Sequence, residues 1–155
     1  MRADKQARSR VSTRQSESLR TYVKLYRASS TITSRLAAAL SEHALTMTQY
    51  NLLDMLFHKG SLRQRELGKK AMKSDGNITF VLVNLEKMGF VERTRTEGTP
   101  RDLTVSLTPA GRQKIARVFP VFARTVAQQM RVLSAGELQN LGRLCKRVGL
   151  GLSVA

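Results

Sequence analysis

The sequence predicts a mainly α chain with one small β-hairpin, a helix-turn-helix pair before the hairpin, and longer helices at both ends. Three observations predict it. Apolar residues recur at helical spacing over most of the 155 residues. Two short helical patterns meet across Lys73-Ser74, as in a helix-turn-helix. Directly after them the period drops to two, with Leu103, Val105 and Leu107 alternating with Thr104 and Ser106. A helix-turn-helix followed by such a hairpin is a winged helix.

Residues 1–14 carry five basic side chains and no apolar pattern, and read as a flexible basic arm or a fraying first turn. Leu19, Tyr22, Val23, Tyr26, Thr33, Leu36, Ala37 and Leu40 then keep helical spacing, so residues 15–45 are expected to hold one long helix. Ser29 and Ser30 interrupt its apolar side with small side chains. Thr46-Met47-Thr48-Gln49 has the capping-box form, with Leu45 and Tyr50 at the staple positions. Leu52, Leu53, Leu56 and Phe57 supply the buried face, and Gly60 is placed to end that helix. Ser61-Leu62-Arg63-Gln64 offers a second capping box, opening a short helix to about Met72. Ser74 caps the next helix, on which Ile78, Val81, Leu82 and Leu85 share a face and which Gly89 ends.

Phe90 to Thr96 is rich in strand formers, and residues 97–102, Glu-Gly-Thr-Pro-Arg-Asp, are turn chemistry with a charged tip. Thr108-Pro109 opens another helix with a capping hydroxyl and a proline at N1. Ile115, Phe119, Phe122 and Val126 mark its apolar side, while Pro120 is expected to kink or briefly break it. Ser134-Ala135-Gly136-Glu137 caps a last helix bearing Leu138, Leu141, Leu144 and Val148. The winged module would span 46–108, with 15–45 and 109–150 as flanking helices whose apolar faces exceed what the module can cover. A two-fold homodimer is the expected solution.

Composition bounds the function. Lys and Arg number 27 against 11 Asp and Glu, a formal net charge of +16. The excess runs along the chain: nine basic and two acidic in residues 1–40, ten and five in 59–101, eight and one in 112–147. Such charge points to nucleic acid, with an anionic membrane surface or a merely soluble basic surface as alternatives. Only with the winged-helix motif is double-stranded DNA the expected partner. No apolar run approaches the ~20 residues of a spanning helix, and no secretory signal is visible, so a cytoplasmic protein without membrane insertion is expected. One cysteine, Cys145, and two histidines complete neither a disulfide nor a structural zinc site. Neither nucleophile-elbow, phosphate-loop nor zinc-protease motifs occur, so no enzyme and no cofactor is expected.

On the helix opening at Ser74, the small polar turn Ser74-Asp75-Gly76-Asn77 suits close approach to DNA. Asn77 has the chemistry for adenine N6/N7, Thr79 for a thymine methyl or a phosphate, and Asp75 for cytosine N4. Ser74 and Asp75 equally well simply cap the helix. No Lys or Arg lies between Ser74 and Glu86, so phosphate neutralisation falls to Lys69, Lys70, Lys73, Arg93, Arg95 and Arg101. Arg101, at the hairpin tip, has the chemistry to enter a narrow minor groove or to be a solvated loop charge.

In the order and spacing of these motifs, residues 15–150 resemble the MarR family of bacterial transcriptional regulators. LTMTQYNLLDML looks like the family's second helix, GNITFVLVNLEKMGFVER like its recognition helix and first wing strand, and Arg101 with VSLTPAGR like the rest of the wing. The GNIT form also occurs in a branch of quinone and electrophile sensors. Where members carry Asp-Arg-Arg in the wing, this chain has Thr99, Pro100 and Arg101; Asp102 or Glu97 stands near enough to replace the acid. Phe80 replaces a residue that is basic in many members.

The resemblance implies a dimeric, sequence-specific DNA-binding regulator, a ligand-responsive repressor of a pseudo-palindromic operator. The alternative is a sequence-tolerant architectural nucleic-acid-binding protein. The resemblance also implies a pocket for a small aromatic or phenolic effector, with Tyr22, Tyr26, Met47 and Tyr50 as candidate lining, and His43 and His58 nearer helix ends. An aromatic stripe at this spacing equally serves as core. The sensing cysteine of the family's peroxide branch lies in the first helix, where this chain has none, and no redox role is expected of Cys145.

Overall fold

A computed structural model of the chain describes residues 12–71, 75–95 and 103–151, with 75–76 and 150–151 described in backbone only. The expected arm up to residue 11, the Lys73-Ser74 turn, and the hairpin tip with Arg101 lie outside the described residues. The chain is mostly helical, and it divides into two compact units, one ending at Arg35 and one beginning at Leu36.

Helix α1 runs Thr13–Ser41. It opens on a reciprocal pair not expected from the sequence: Ser12 Oγ accepts from the Gln15 amide at 3.2 Å, and the Gln15 side chain accepts from the Ser12 amide at 2.8 Å. Its C-terminus is closed by Leu45 N–H donating to the Leu40 carbonyl and Ala44 N–H to that of Ser41. This bonding needs a left-handed residue, and Ala44 supplies it at φ 52°. An alanine there hides the terminus from a sequence search for glycine.

Helix α2, Met47–Lys59, begins with both bonds of the Thr46–Gln49 box in place. Leu45 and Tyr50 are buried at the staple positions, and Leu52, Leu53 and Leu56 form the inner face. Gly60 ends the helix at positive φ. The second expected box is corrected. Residues Leu62–Arg63 are strand β1, and helix α3 starts at Gln64 and ends at Ala71. Its start is held by Glu66, whose carboxylate accepts from the Arg63 amide at 3.2 Å.

Helix α4 spans Asp75–Lys87, strand β2 Val91–Arg95 and strand β3 Leu103–Leu107. The sheet has three strands in the order β1-β3-β2, one more than the expected hairpin. Val91 faces Leu107 and Arg95 faces Leu103 in one antiparallel ladder, while Leu62 faces Val105 in the other. Two residues carry no periodicity, so β1 is visible only once β3 lies beside it.

Helix α5, Pro109–Met130, continues unbroken through Pro120, and helix α6, Ala135–Gly151, starts at the expected Ser134–Glu137 pair. The core of the second unit gathers Leu40, Leu45 and Tyr50 with the inner leucines of α2, Leu67 of α3, Ile78, Leu82 and Leu85 of α4, Val91, Val105, and Ile115 and Val118 of α5. Every described side chain of α6 is exposed, including Leu138, Leu141, Leu144 and Val148.

Candidate nucleic-acid interface

The lobe that carries most of the candidate residues is built on α3, α4 and the two longer strands. Ile78, Leu82 and Leu85 fall on one side of α4 and are buried, which fixes how the helix is rolled. Asn77, Thr79, Phe80 and Lys87 are left exposed. Phe80, opposite the buried stripe, is 68% exposed. A hydrogen bond of 2.9 Å from Gln64 Nε2 to Thr79 Oγ1 ties the first turn of α3 to α4. Gln64 was expected only as part of a cap; spacing between two helices gives no sign of such a cross-link.

The end of α4 is rigidly turned. Gly89, at φ 73°, donates to the Glu86 carbonyl, and Phe90 donates to that of Leu85. These two bonds close the helix and start the wing strand. Thr108 then caps α5 by accepting from Gly111 N–H at 3.0 Å, and its hydroxyl donates to the Gly89 carbonyl at 2.6 Å. Its own amide donates to the Phe90 carbonyl at 3.1 Å. The wing therefore returns onto the end of α4, and α5 departs from the same point.

Of the six cationic residues expected to neutralise phosphate, Lys69, Lys70 and Arg95 are exposed, while Lys73 and Arg101 lie outside the described residues. Arg93 differs. It is only 17% exposed, and its Nε and Nη2 donate to Glu86 Oε2 at 3.0 and 2.6 Å. Two of its nitrogens thus brace β2 against α4. A carboxylate seven residues upstream, across a glycine turn, was the available signal. Asn77 and Thr79 stand on the exposed part of α4 as expected; Ser74 and the side chain of Asp75 are outside the described residues.

Those hydrogen bonds hold the Glu86 carboxyl below the ordinary glutamate range, with Arg93's charge adding to them and partial burial opposing. A carboxyl depressed in the folded state contributes stability above its unfolded pKa of about 4.3 and loses it as the pH falls through the folded value. Glu86 is 37% exposed, so solvent screening limits the pair to about 0.5–1 kcal/mol. Glu86→Gln is accordingly expected to lower stability by that amount at pH 7. In urea titrations at falling pH, the gap from the unsubstituted protein should close below about pH 4. A gap constant with pH would mean that the carboxylate's charge is not what holds Arg93.

The candidate pocket residues fall in both units. Tyr22 and Tyr26 are exposed on α1, their rings stacked 6.3 Å apart. Met47 is half-buried at the start of α2. Tyr50 is a core residue, stacked on Phe122 at 4.1 Å, and burial with the nearby Asp54 charge pushes its phenol well above the usual range. His43 is half-buried; His58 is exposed at the end of α2, 3.4 Å from Asp54 and edge-on to Phe119. Cys145 is exposed on α6. Among the described residues no group of His, Cys, Asp or Glu is arranged to hold a metal ion, and no helix is long and apolar enough to cross a membrane.

Residues 45–100 match the family model described as MarR family. The regulator MhqR of Bacillus subtilis is 28% identical over 134 residues, 86% of this chain and 92% of that protein. SarZ of Staphylococcus epidermidis, also a helix-turn-helix transcriptional regulator, is 32% identical over 116 residues, 75% of this chain and 77% of that protein. Among solved structures, Sco3205 of Streptomyces coelicolor, a MarR family regulator in complex with DNA, superposes with a TM-score of 0.81 at 25% identity. That match covers 92% of this chain and 89% of Sco3205.

Proposed function

The chain belongs to the MarR family of transcriptional regulators and binds DNA, and from that premise we propose that it is a ligand-responsive repressor acting as a homodimer on a pseudo-palindromic operator. Helix α4 enters the major groove, and Arg101 reaches the adjacent minor groove. The observation that carries the dimer is the apolar surface left uncovered. Leu19, Tyr22, Val23, Leu25 and Tyr26 of α1 and Leu138, Leu141, Leu144 and Val148 of α6 are all exposed in one copy. A second copy of the chain, offering the same apolar stripes, is the occupant that would remove each of them from water. Two-fold symmetry then separates the half-sites by about one helical turn, ~34–36 Å.

An effector that binds one arrangement of the DNA-reading lobes better than another would shift the population away from the operator-competent form. The stacked Tyr22–Tyr26 pair supports an aromatic or phenolic ligand, since such rings offer both an apolar face and a hydroxyl.

The test is selection of duplexes from a random pool by the full chain, with sedimentation of free and bound protein. One palindrome should be enriched, bound by a dimer, preferred over random duplex by at least about a thousandfold, and released by phenolic compounds. Equal affinity for all duplexes, falling together as salt rises, would overturn this reading in favour of an architectural protein.

A further inference from the structure

The exposed face of α4 offers almost no charge to DNA. Between residues 75 and 86 it carries no lysine or arginine, and its buried stripe of Ile78, Leu82 and Leu85 directs Phe80 straight outward. An isolated surface phenylalanine is ordinary on a helix flank. Here it stands at the pole of the helix that the fold offers to the major groove. Asn77 lies three residues before it on the same exposed side, and Asn84 four residues after it is half-buried. Exposed cations lie to either side: Lys69 and Lys70 close α3, and Lys87 closes α4. The surroundings suit a polyanion; the pole suits something apolar within it.

Only one apolar group projects into the major groove of a duplex, the C5 methyl of thymine. We propose that Phe80 is a specificity-determining residue that reads a thymine methyl. This deepens, and rests on, the DNA-binding reading above. The ring is presented from a rigid element, because α4 is held by its buried stripe and by the Gln64–Thr79 bond. Residues three apart on a helix are about 5–6 Å apart at Cβ. Base pairs rise by about 3.4 Å. The thymine read by Phe80 therefore lies within about two base pairs of an adenine taken by Asn77.

The experiment uses the full chain and the duplex it selects from a random pool. Each thymine is replaced in turn by deoxyuridine, which removes the methyl and leaves every hydrogen-bonding group. For the unsubstituted protein, one position per half-site should weaken binding about fourfold, the worth of one methyl group removed from water. Phe80→Ala should bind the parent duplex more weakly by a similar factor and show no further loss at that position. A second selection with Phe80→Ala should lose the preference for thymine there. Phe80→Leu, which keeps an apolar reach, should retain most of the preference and carries the comparison if the alanine variant melts early.

Equal deoxyuridine losses in both proteins, or none in either, would overturn the proposal while leaving DNA binding intact. Failure of the unsubstituted protein to enrich any sequence would instead remove the sequence-specific reading on which the proposal stands.

Discussion

Gly111→Ala is expected to destabilise the protein by about 3 kcal/mol, at the upper end for overpacking a closed contact. Gly111 is buried in the first turn of α5, and a Cβ there would run into the backbone carbonyl of Phe90, 2.8 Å from its carbon. That carbonyl has little freedom to move. Its oxygen already accepts from Thr108, and the Phe90 amide is fixed by the turn that ends α4. The neighbouring Gly89 carbonyl accepts the Thr108 hydroxyl. A methyl group at 111 must therefore push α5 away from the wing or open the end of α4, and either change breaks hydrogen bonds. For a chain of this size, 3 kcal/mol corresponds to a fall in Tm of roughly 6–12 °C. Thermal melting and urea titration read it; a variant melting with the parent would show that the junction of α4, wing and α5 gives way easily.

Leu82→Ala is the second large effect, expected at about 2–5 kcal/mol because the side chain is fully buried and its removal leaves a cavity. Leu82 sits between Ile78 and Leu85 on the inner stripe, so its loss also loosens the seating of α4. Denaturant unfolding should show a lowered midpoint, and DNA affinity, measured where the variant is still folded, should fall for every duplex alike. The contrast with Phe80→Ala, two residues away on the outer face, is diagnostic. One substitution removes stability without touching DNA, and the other is expected to alter base preference with little change in melting. Similar melting for Leu82→Ala and the parent would mean that the core closes around the gap.

Three of the six helix starts among the described residues were legible in the sequence because caps are local. Thr46–Gln49, Thr108-Pro109 and Ser134–Glu137 each satisfy free amides within one turn, so three or four residues suffice to recognise them. Strand β3 was legible by alternation, β2 by its strand-forming residues, and the inner stripe of α4 by its spacing. Ser61 shows the limit: it has the same local form, yet the chain passes into β1, since pairing with β3 competes for those residues and wins. The candidate site was legible in residue type at Asn77, Thr79, Lys69, Lys70 and Arg95, which the fold leaves exposed.

By itself, then, the sequence determined the kind of protein, a basic winged-helix chain with flanking helices, because periodicity, caps and net charge are properties of short segments or simple sums. Only the tertiary structure decided which side chains are available. It turned Arg93 inward to Glu86, joined Gln64 to Thr79, buried Tyr50 against Phe122, and left Phe80 at the outer pole of α4. Each of these depends on residues from separate turns or elements meeting at a few ångströms, a distance that spacing along the chain does not specify.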